Sequence, residues 1–215
     1  MPLYKTITVN STTKVLIWKI EESFKTLSED LVLTERSESR VAGMRSELHR
    51  RGFISIRHLL ASEGYSDHDL FYDENGKPHL KDGKHISITH SFNFSAIIIS
   101  DIEVGIDVEK KREKILRIAH KFTNFEDFQN LIHKDVIVRK LTIVWCAKES
   151  LYKSFNRVGL TFLNHINVAD FSLYQNVTTA NVDFEDKIEG YSISFLEFEG
   201  FTCAYALLND RKKNG

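Results

Sequence analysis

The sequence predicts an α+β fold of two similar lobes, each a long helix packed on a small antiparallel sheet. Two observations carry that prediction. A long segment of helical period followed by a β-hairpin pattern occurs twice, at 35–60 before 86–100 and at 138–155 before 191–208. The two halves share no obvious residue-for-residue identity, so the repeat is one of element order. The lobes are expected at 1–103 and 104–215, and a groove between them is the natural place for a ligand.

Each element follows from its residues. Segment 35–60 is rich in Arg, Glu and Leu, has no Pro, and sets Val41, Met44, Leu48, Phe53, Ile56, Leu59 and Leu60 at helical intervals. One long helix or two shorter ones are expected there, with a break near Gly52. Segment 63–83 is polar and contains Asn75-Gly76 and Lys77-Pro78, both of which favour loop backbone. Residues 86–90 and 95–100 read as the strands of a hairpin. A third short strand, 104–109, leads into a basic segment at 110–114 and a helical region at 115–131. Segment 138–155 lacks Gly and Pro and places Leu141, Val144, Trp145, Lys148, Leu151, Tyr152 and Phe155 at three- and four-residue steps, so it reads as a helix. The chain closes in β pattern at 166–168, 191–198 and 201–208, with Glu199-Gly200 turning between the last two.

Composition narrows the function classes. The 215 residues are 42% hydrophobic, enough to bury a sizeable core. Lys and Arg number 29 against 30 Asp and Glu, so there is no general pull toward nucleic acid or an anionic membrane, and an anion site must be local. No apolar stretch approaches the roughly 20 residues of a spanning helix. Lys5, Lys14 and Lys19 spread through a start without the apolar block of a signal peptide, so a cytoplasmic protein is expected. The 2 cysteines, Cys146 and Cys203, are too few for a disulfide framework. His85 and His90 fall on opposite faces of a strand, which argues against a histidine metal site.

Two short constellations carry chemistry. In Gly105-Ile106-Asp107-Val108-Glu109 the carboxylates lie two apart on a strand and share a face, where they repel unless a cation sits between them. A strand with ordinary solvent-facing polar positions fits the same pattern. In Trp145-Cys146-Ala147-Lys148-Glu149-Ser150-Leu151-Tyr152-Lys153, Glu149 and Lys153 share a helix face, as an ordinary surface pair also does. Taken together, Asp107, Glu109 and Glu149 supply three hard oxygen ligands suited to magnesium, which completes its shell with waters and phosphate oxygens. Manganese accepts the same donors.

These segments resemble the signature of the 4′-phosphopantetheinyl transferase superfamily, a Gly-hydrophobic-Asp-hydrophobic-Glu strand followed by a Trp-x-x-Lys-Glu-x-x-x-Lys helix. The resemblance extends upstream to Asn75-Gly76-Lys77-Pro78 and Ser87-Ile88-Thr89-His90-Ser91, similar to the family's Gly-Lys-Pro loop and Ile-Ser-His-Ser strand, with Thr89 in place of a Ser. Arg51-Gly52-Phe53-Ile54-Ser55-Ile56-Arg57 looks like the family's Arg-bearing helix, although a helix with several Arg is often only a solvated face. Chain length and the upstream motifs point to the two-lobed, Sfp-type branch, and that resemblance implies that the two α+β lobes form a pseudo-dimer.

The resemblance implies a magnesium-dependent, monomeric enzyme of the holo-[acyl-carrier-protein] synthase type. It would move phosphopantetheine from coenzyme A to a serine of an apo acyl or peptidyl carrier protein and release 3′,5′-adenosine diphosphate. It implies Asp107, Glu109 and Glu149 as metal ligands. Arg51, Arg57, Lys77, Thr89, His90 and Lys153 would contact coenzyme A, with the 3′-phosphate against Arg57, Lys77 and His90. Glu149 and Lys153 act at the reaction centre, and Glu126, with Asp127 as its rival, is the base. Cys146 and Trp145 are expected to be packing residues. The basic run Lys110, Lys111, Arg112 and Lys114 suits either an acidic carrier or plain solvent, and Phe122, Phe125 and Phe128 suit either docking or core. A phosphohydrolase using the same acids, or a non-catalytic coenzyme A or carrier-binding module, are the competing readings.

Overall fold

The computed structural model describes residues 3–124, 128 and 133–209, and its contacts divide the chain into two compact units, Met1–Asp101 and Ile102–Gly215. In the first unit the elements are β1 (Leu3–Thr8), β2 (Lys14–Lys19), α1 (Phe24–Ser28), α2 (Glu35–Gly43), α3 (Glu47–Ser62), β3 (Leu70–Tyr72), β4 (Pro78–Leu80), β5 (His85–Ser91) and β6 (Phe94–Ser100). The strands form one antiparallel sheet in the order β1-β2-β6-β5-β4-β3. Helix α3 packs on it through Phe53, Ile56, Leu59 and Leu60, which share a core with Leu16 and Trp18 of β2, Ile86 of β5, and Ile97 and Ile99 of β6.

The helical segment of this unit breaks earlier than its composition suggests. The interruption lies between Gly43 and Glu47, where Met44 is extended, and Ser46 restarts the chain as N-cap by accepting the His49 backbone N–H on its hydroxyl. Gly52 stays inside α3 and is buried. Its missing side chain has a use across the sheet: a Cβ there would press within 3.1 Å of the His90 ring. The expected loop at 63–83 also contains β3 and β4, joined by a turn in which Gly76 has φ +81° and Asp73 accepts the backbone N–H groups of Asn75 and Lys77. The expected hairpin is present with a tighter connection, since Ser91 pairs with Phe94 and Phe92 takes φ +52° in the turn.

The second unit contains β7 (Val104–Lys110), α4 (Ile115–Ile118), α5 (Lys134–Phe155), α6 (Phe162–His165), β8 (Ile166–Val168), β9 (Val177–Phe184), β10 (Lys187–Phe198) and β11 (Phe201–Leu208). Its sheet runs β7-β11-β10-β9-β8. The long helix begins four residues before the expected start and ends at Asn156, whose φ of +46° and backbone N–H to the Tyr152 carbonyl close the last turn. Of the region expected to be helical at 115–131, residues 115–121 form a single turn of α helix followed by a 3-10 turn, Ala119–Lys121, and residues 125–127 and 129–131 lie outside the described residues. Leu141, Val144, Ala147 and Leu151 of α5 share a core with Ile193 and Phe195 of β10 and Ala204 and Ala206 of β11.

Stripped of β1, the first unit has the same connectivity as the second. In each, one strand precedes the long helix, four follow it, and the first pairs with the last: β2-β6-β5-β4-β3 in one, β7-β11-β10-β9-β8 in the other. The α+β architecture and its two-fold repetition are therefore present in topology as well as in element order.

Candidate active site

The acids of β7 take their placement from strand alternation. Ile106 and Val108 are buried, with 0% and 1% of their surface exposed, and Asp107 and Glu109 point to the other face, toward α5. The helix reaches them because the strand is bare where the two cross. A Cβ on Gly105 would run into the backbone carbonyl of Ser150, and the neighbouring strand positions are Ala206, opposite Gly105, and Ala204, opposite Asp107. Small residues thus set the closeness of α5 to β7, and helical period then aims Glu149 and Lys153 at the strand.

Asp107 is buried to 5% exposure, and the Lys153 ammonium donates to its Oδ1 at 2.7 Å and to the Ile106 carbonyl at 3.1 Å. Glu109 accepts the indole N–H of Trp145 on Oε1 at 3.4 Å. Burial pushes the Glu149 carboxyl up to about 7, the charges of Asp107 and Glu109 add to the rise, and Lys153 opposes it. The three carboxylates and one ammonium therefore share one electrostatic site carrying an excess of negative charge.

Among the described residues, no three His, Cys, Asp or Glu side chains are drawn together closely enough to hold a metal ion as they stand. The donor chemistry nevertheless fits one. The candidate donors are all carboxylates, the choice of a hard divalent cation, and the charges of Asp107 and Glu109 add to the burial that raises Glu149.

Two further residues of the helix motif find their roles in the structure. Lys148, which sequence reasoning treated as one more helical step, is 4% exposed, and its ammonium donates to the carbonyls of Phe162 at 2.7 Å and Ile166 at 2.5 Å. Burial lowers it to about 8. It pins the segment around α6 onto α5, one residue before Glu149. Trp145, expected to be plain core, is only partly buried; its ring meets Phe122 edge-on at 5.1 Å and tilts against Phe162 at 5.4 Å. Cys146 is fully buried, burial raises its thiol well above the ordinary range, and it donates weakly to the Thr202 carbonyl at 3.5 Å, as a packing residue would. Phe122 and Phe128 are buried too. Glu126, its rival Asp127, and Phe125 lie outside the described residues.

Beside Glu109, a groove of about 220 Å³ is lined by Lys110, Arg112, Lys114, Ile115, Ile118 and Trp145. It offers three cations over an apolar floor.

The expected coenzyme A residues of the first unit are differently placed. Thr89 and His90 are adjacent on β5 and therefore face opposite ways, Thr89 buried and His90 exposed, with the His90 ring 5.9 Å from that of His49 on α3. Lys77 ends the β3–β4 turn. Arg51 donates to the Ile20 carbonyl at 3.0 Å. Arg57 is 4% exposed and fully engaged: its guanidinium donates to Asp67 at 2.8 Å, to the Phe53 carbonyl at 3.1 Å and to Ser37 at 3.2 Å, and lies 3.5 Å from the Phe53 ring centre. Burial alone would raise the Asp67 carboxyl, but the N–H of Thr34, the hydroxyl of Ser37 and the Arg57 charge hold it below the usual range.

Residues 103–206 match the 4′-phosphopantetheinyl transferase superfamily. The chain is 30% identical over 135 residues to the 4′-phosphopantetheinyl transferase gsp of Aneurinibacillus migulanus, covering 61% of this chain and 55% of that protein. It is 28% identical over 110 residues to the 4′-phosphopantetheinyl transferase psf-1 of Bacillus pumilus, covering 47% of each. The chain thus spans about half the length of the curated relatives it matches. The matched region contains both motifs and the sheet and helix that bring them together, and over that region the chain is similar to the 4′-phosphopantetheinyl transferase superfamily.

Proposed function

We propose that this protein transfers 4′-phosphopantetheine from coenzyme A to a serine of an apo carrier protein. The observation that supports it best is the convergence of Asp107 and Glu109 on β7 with Glu149 and Lys153 on α5, the two halves of the family signature meeting at one negatively charged site. Magnesium, held by Asp107, Glu109 and Glu149, would polarise the pyrophosphate and offset the charge that develops as its bridge breaks; manganese suits the same donors.

The chain's own groups do the rest. The serine oxygen bonds to the phosphorus that carries the pantetheine arm, the bond from that phosphorus to the bridging oxygen breaks, and 3′,5′-adenosine diphosphate leaves. Lys153, already an ammonium among carboxylates, is placed to donate to the departing phosphate. The serine proton goes to a carboxylate base, a role we assign to Glu126 or to its neighbour Asp127. Lys77 and His90 would receive the 3′-phosphate, while Arg51 and Arg57 hold the helix beside them. An acidic helical carrier suits the cationic groove of Lys110, Arg112 and Lys114. Action as a monomer in the cytoplasm belongs to the same proposal; among the described residues no helix is long and apolar enough to cross a membrane.

Intact-mass spectrometry of an apo acyl or peptidyl carrier protein, incubated with this protein, coenzyme A and magnesium, tests the reading. The expected result is a gain of one phosphopantetheine group that vanishes without metal and with Glu149→Ala. Release of phosphate or pantetheine phosphate without carrier modification would instead mark a hydrolase. Coenzyme A binding without turnover on either class of carrier would mark a binding module.

A further inference from the structure

We infer that Trp145 is a positioning residue that fixes the carboxylate of Glu109 for the cation; the inference rests on the metal reading above. Glu109 sits next to the last residue of β7, only partly buried, and a glutamate there has three torsions through which to spread its carboxylate. The indole N–H takes one of its oxygens at 3.4 Å. The indole itself has little freedom, because Phe122 meets it edge-on at 5.1 Å and Phe162 tilts against it at 5.4 Å. A donor locked by packing can thus hold one oxygen and leave the other to turn toward the site, the usual way a residue behind a metal ligand sets its orientation. Lys153 plays the matching part at Asp107, taking Oδ1 at 2.7 Å.

The same ring is part of the wall of the groove formed with Lys110, Arg112, Ile115 and Ile118. A group seated in that groove therefore touches the side chain that aims Glu109.

The sequence carries 2 Trp residues, and the other, Trp18, is 4% exposed in the core of the first unit. Trp18→Phe consequently leaves Trp145 as the sole indole reporter. Mn²⁺ binding is measured by electron paramagnetic resonance on the intact protein and on Trp145→Phe, which keeps an aromatic ring and loses the N–H. The variant is expected to need roughly ten-fold more Mn²⁺ for half-saturation, with circular dichroism unchanged. In the Trp18→Phe protein, Mn²⁺ should change the Trp145 emission with the half-saturation seen by resonance, and Glu109→Gln should shift that emission before metal is added.

Unchanged Mn²⁺ affinity in a folded Trp145→Phe overturns the positioning role and leaves the metal reading standing. A wild-type protein that binds no Mn²⁺ overturns both. If Trp145→Phe fails to fold, the Trp18→Phe protein decides: an emission indifferent to Mn²⁺ and to Glu109→Gln overturns the inference.

Discussion

The strand that precedes the long helix is the same piece of topology in both units, yet its helix-facing row differs completely. On β2 that row is Leu16 and Trp18, which pack under α3, and their neighbours on β6 are Ile97 and Ser95. On β7 it is Gly105, Asp107 and Glu109, beside Ala206, Ala204 and Thr202 of β11. One unit fills the space under its helix with apolar side chains; the other empties it of bulk and lines it with charge. The polar clusters differ accordingly. Arg57 and Asp67 of the first unit are a buried ion pair whose remaining hydrogen-bonding groups find protein partners, Ser37, Thr34 and Phe53. The cluster of the second unit sets one ammonium against three carboxylates. A cluster that satisfies itself is scaffold, whereas one left with excess charge has chemistry still to accept.

The largest expected effect tests the scaffold side. Arg57→Met leaves the Asp67 charge buried without its cation and should destabilise the protein by about 3–5 kcal/mol. The double variant Arg57→Met, Asp67→Leu should recover most of that loss, because no charge is left behind. Urea titration of the three proteins measures both values. A loss in Arg57→Met that is small, together with a coenzyme A KM raised many-fold, would move Arg57 from scaffold to substrate contact and undo the contrast.

A smaller effect is expected at the crossing of β7 and α5. Gly105→Ala places a methyl group against the Ser150 carbonyl, so the helix must shift, at a cost of about 1–3 kcal/mol. Because that helix bears Glu149 and Lys153, transfer activity should fall much further than stability does. Gly43→Ala, where a Cβ meets nothing within 4 Å, is the matched control in the first unit and should leave stability within about 0.5 kcal/mol or raise it. Comparable activity in both variants, read by carrier mass shift, would show that the close crossing does not set the site.

Much of the second unit was legible in the sequence because periodicity fixes faces. A two-residue spacing puts Asp107 and Glu109 together on a strand, a four-residue spacing puts Glu149 and Lys153 together on a helix, and β8 and β11 match their expected bounds. β1, β2, β3, β4 and β9 were missed, three of them for want of such a signal. β2 is Lys-Val-Leu-Ile-Trp-Lys, buried along its whole apolar run, so it shows no alternation to read. β3 and β4 are three residues each and sit among turn formers. Partnerships at long range were also invisible. Nothing local announces that Arg57 will be consumed by Asp67, that Gly105 is small because Ser150 lies above it, or that Lys148 will reach two backbone carbonyls instead of solvent.

The smallest expected effect separates the two kinds of cluster by pH. Asp67 titrates below the usual carboxylate range in the folded protein, since Thr34, Ser37 and Arg57 together outweigh its burial. A group depressed on folding contributes stability that is complete above the unfolded carboxylate value of about 4 and is lost as pH falls through the lower, folded value. Between pH 6 and pH 8 the pair should therefore add no slope, and its contribution should disappear only on the acid limb below about pH 4. The double variant Arg57→Met, Asp67→Leu carries no such group, so its stability should fall less steeply there than the parent's while the two run parallel near neutrality. Denaturant midpoints measured across pH 2.5 to 8 in both proteins decide it. Parallel acid limbs would mean that Asp67 is no more stabilised as an anion in the fold than in the open chain, and the first unit's cluster would then be as electrostatically unfinished as the second's.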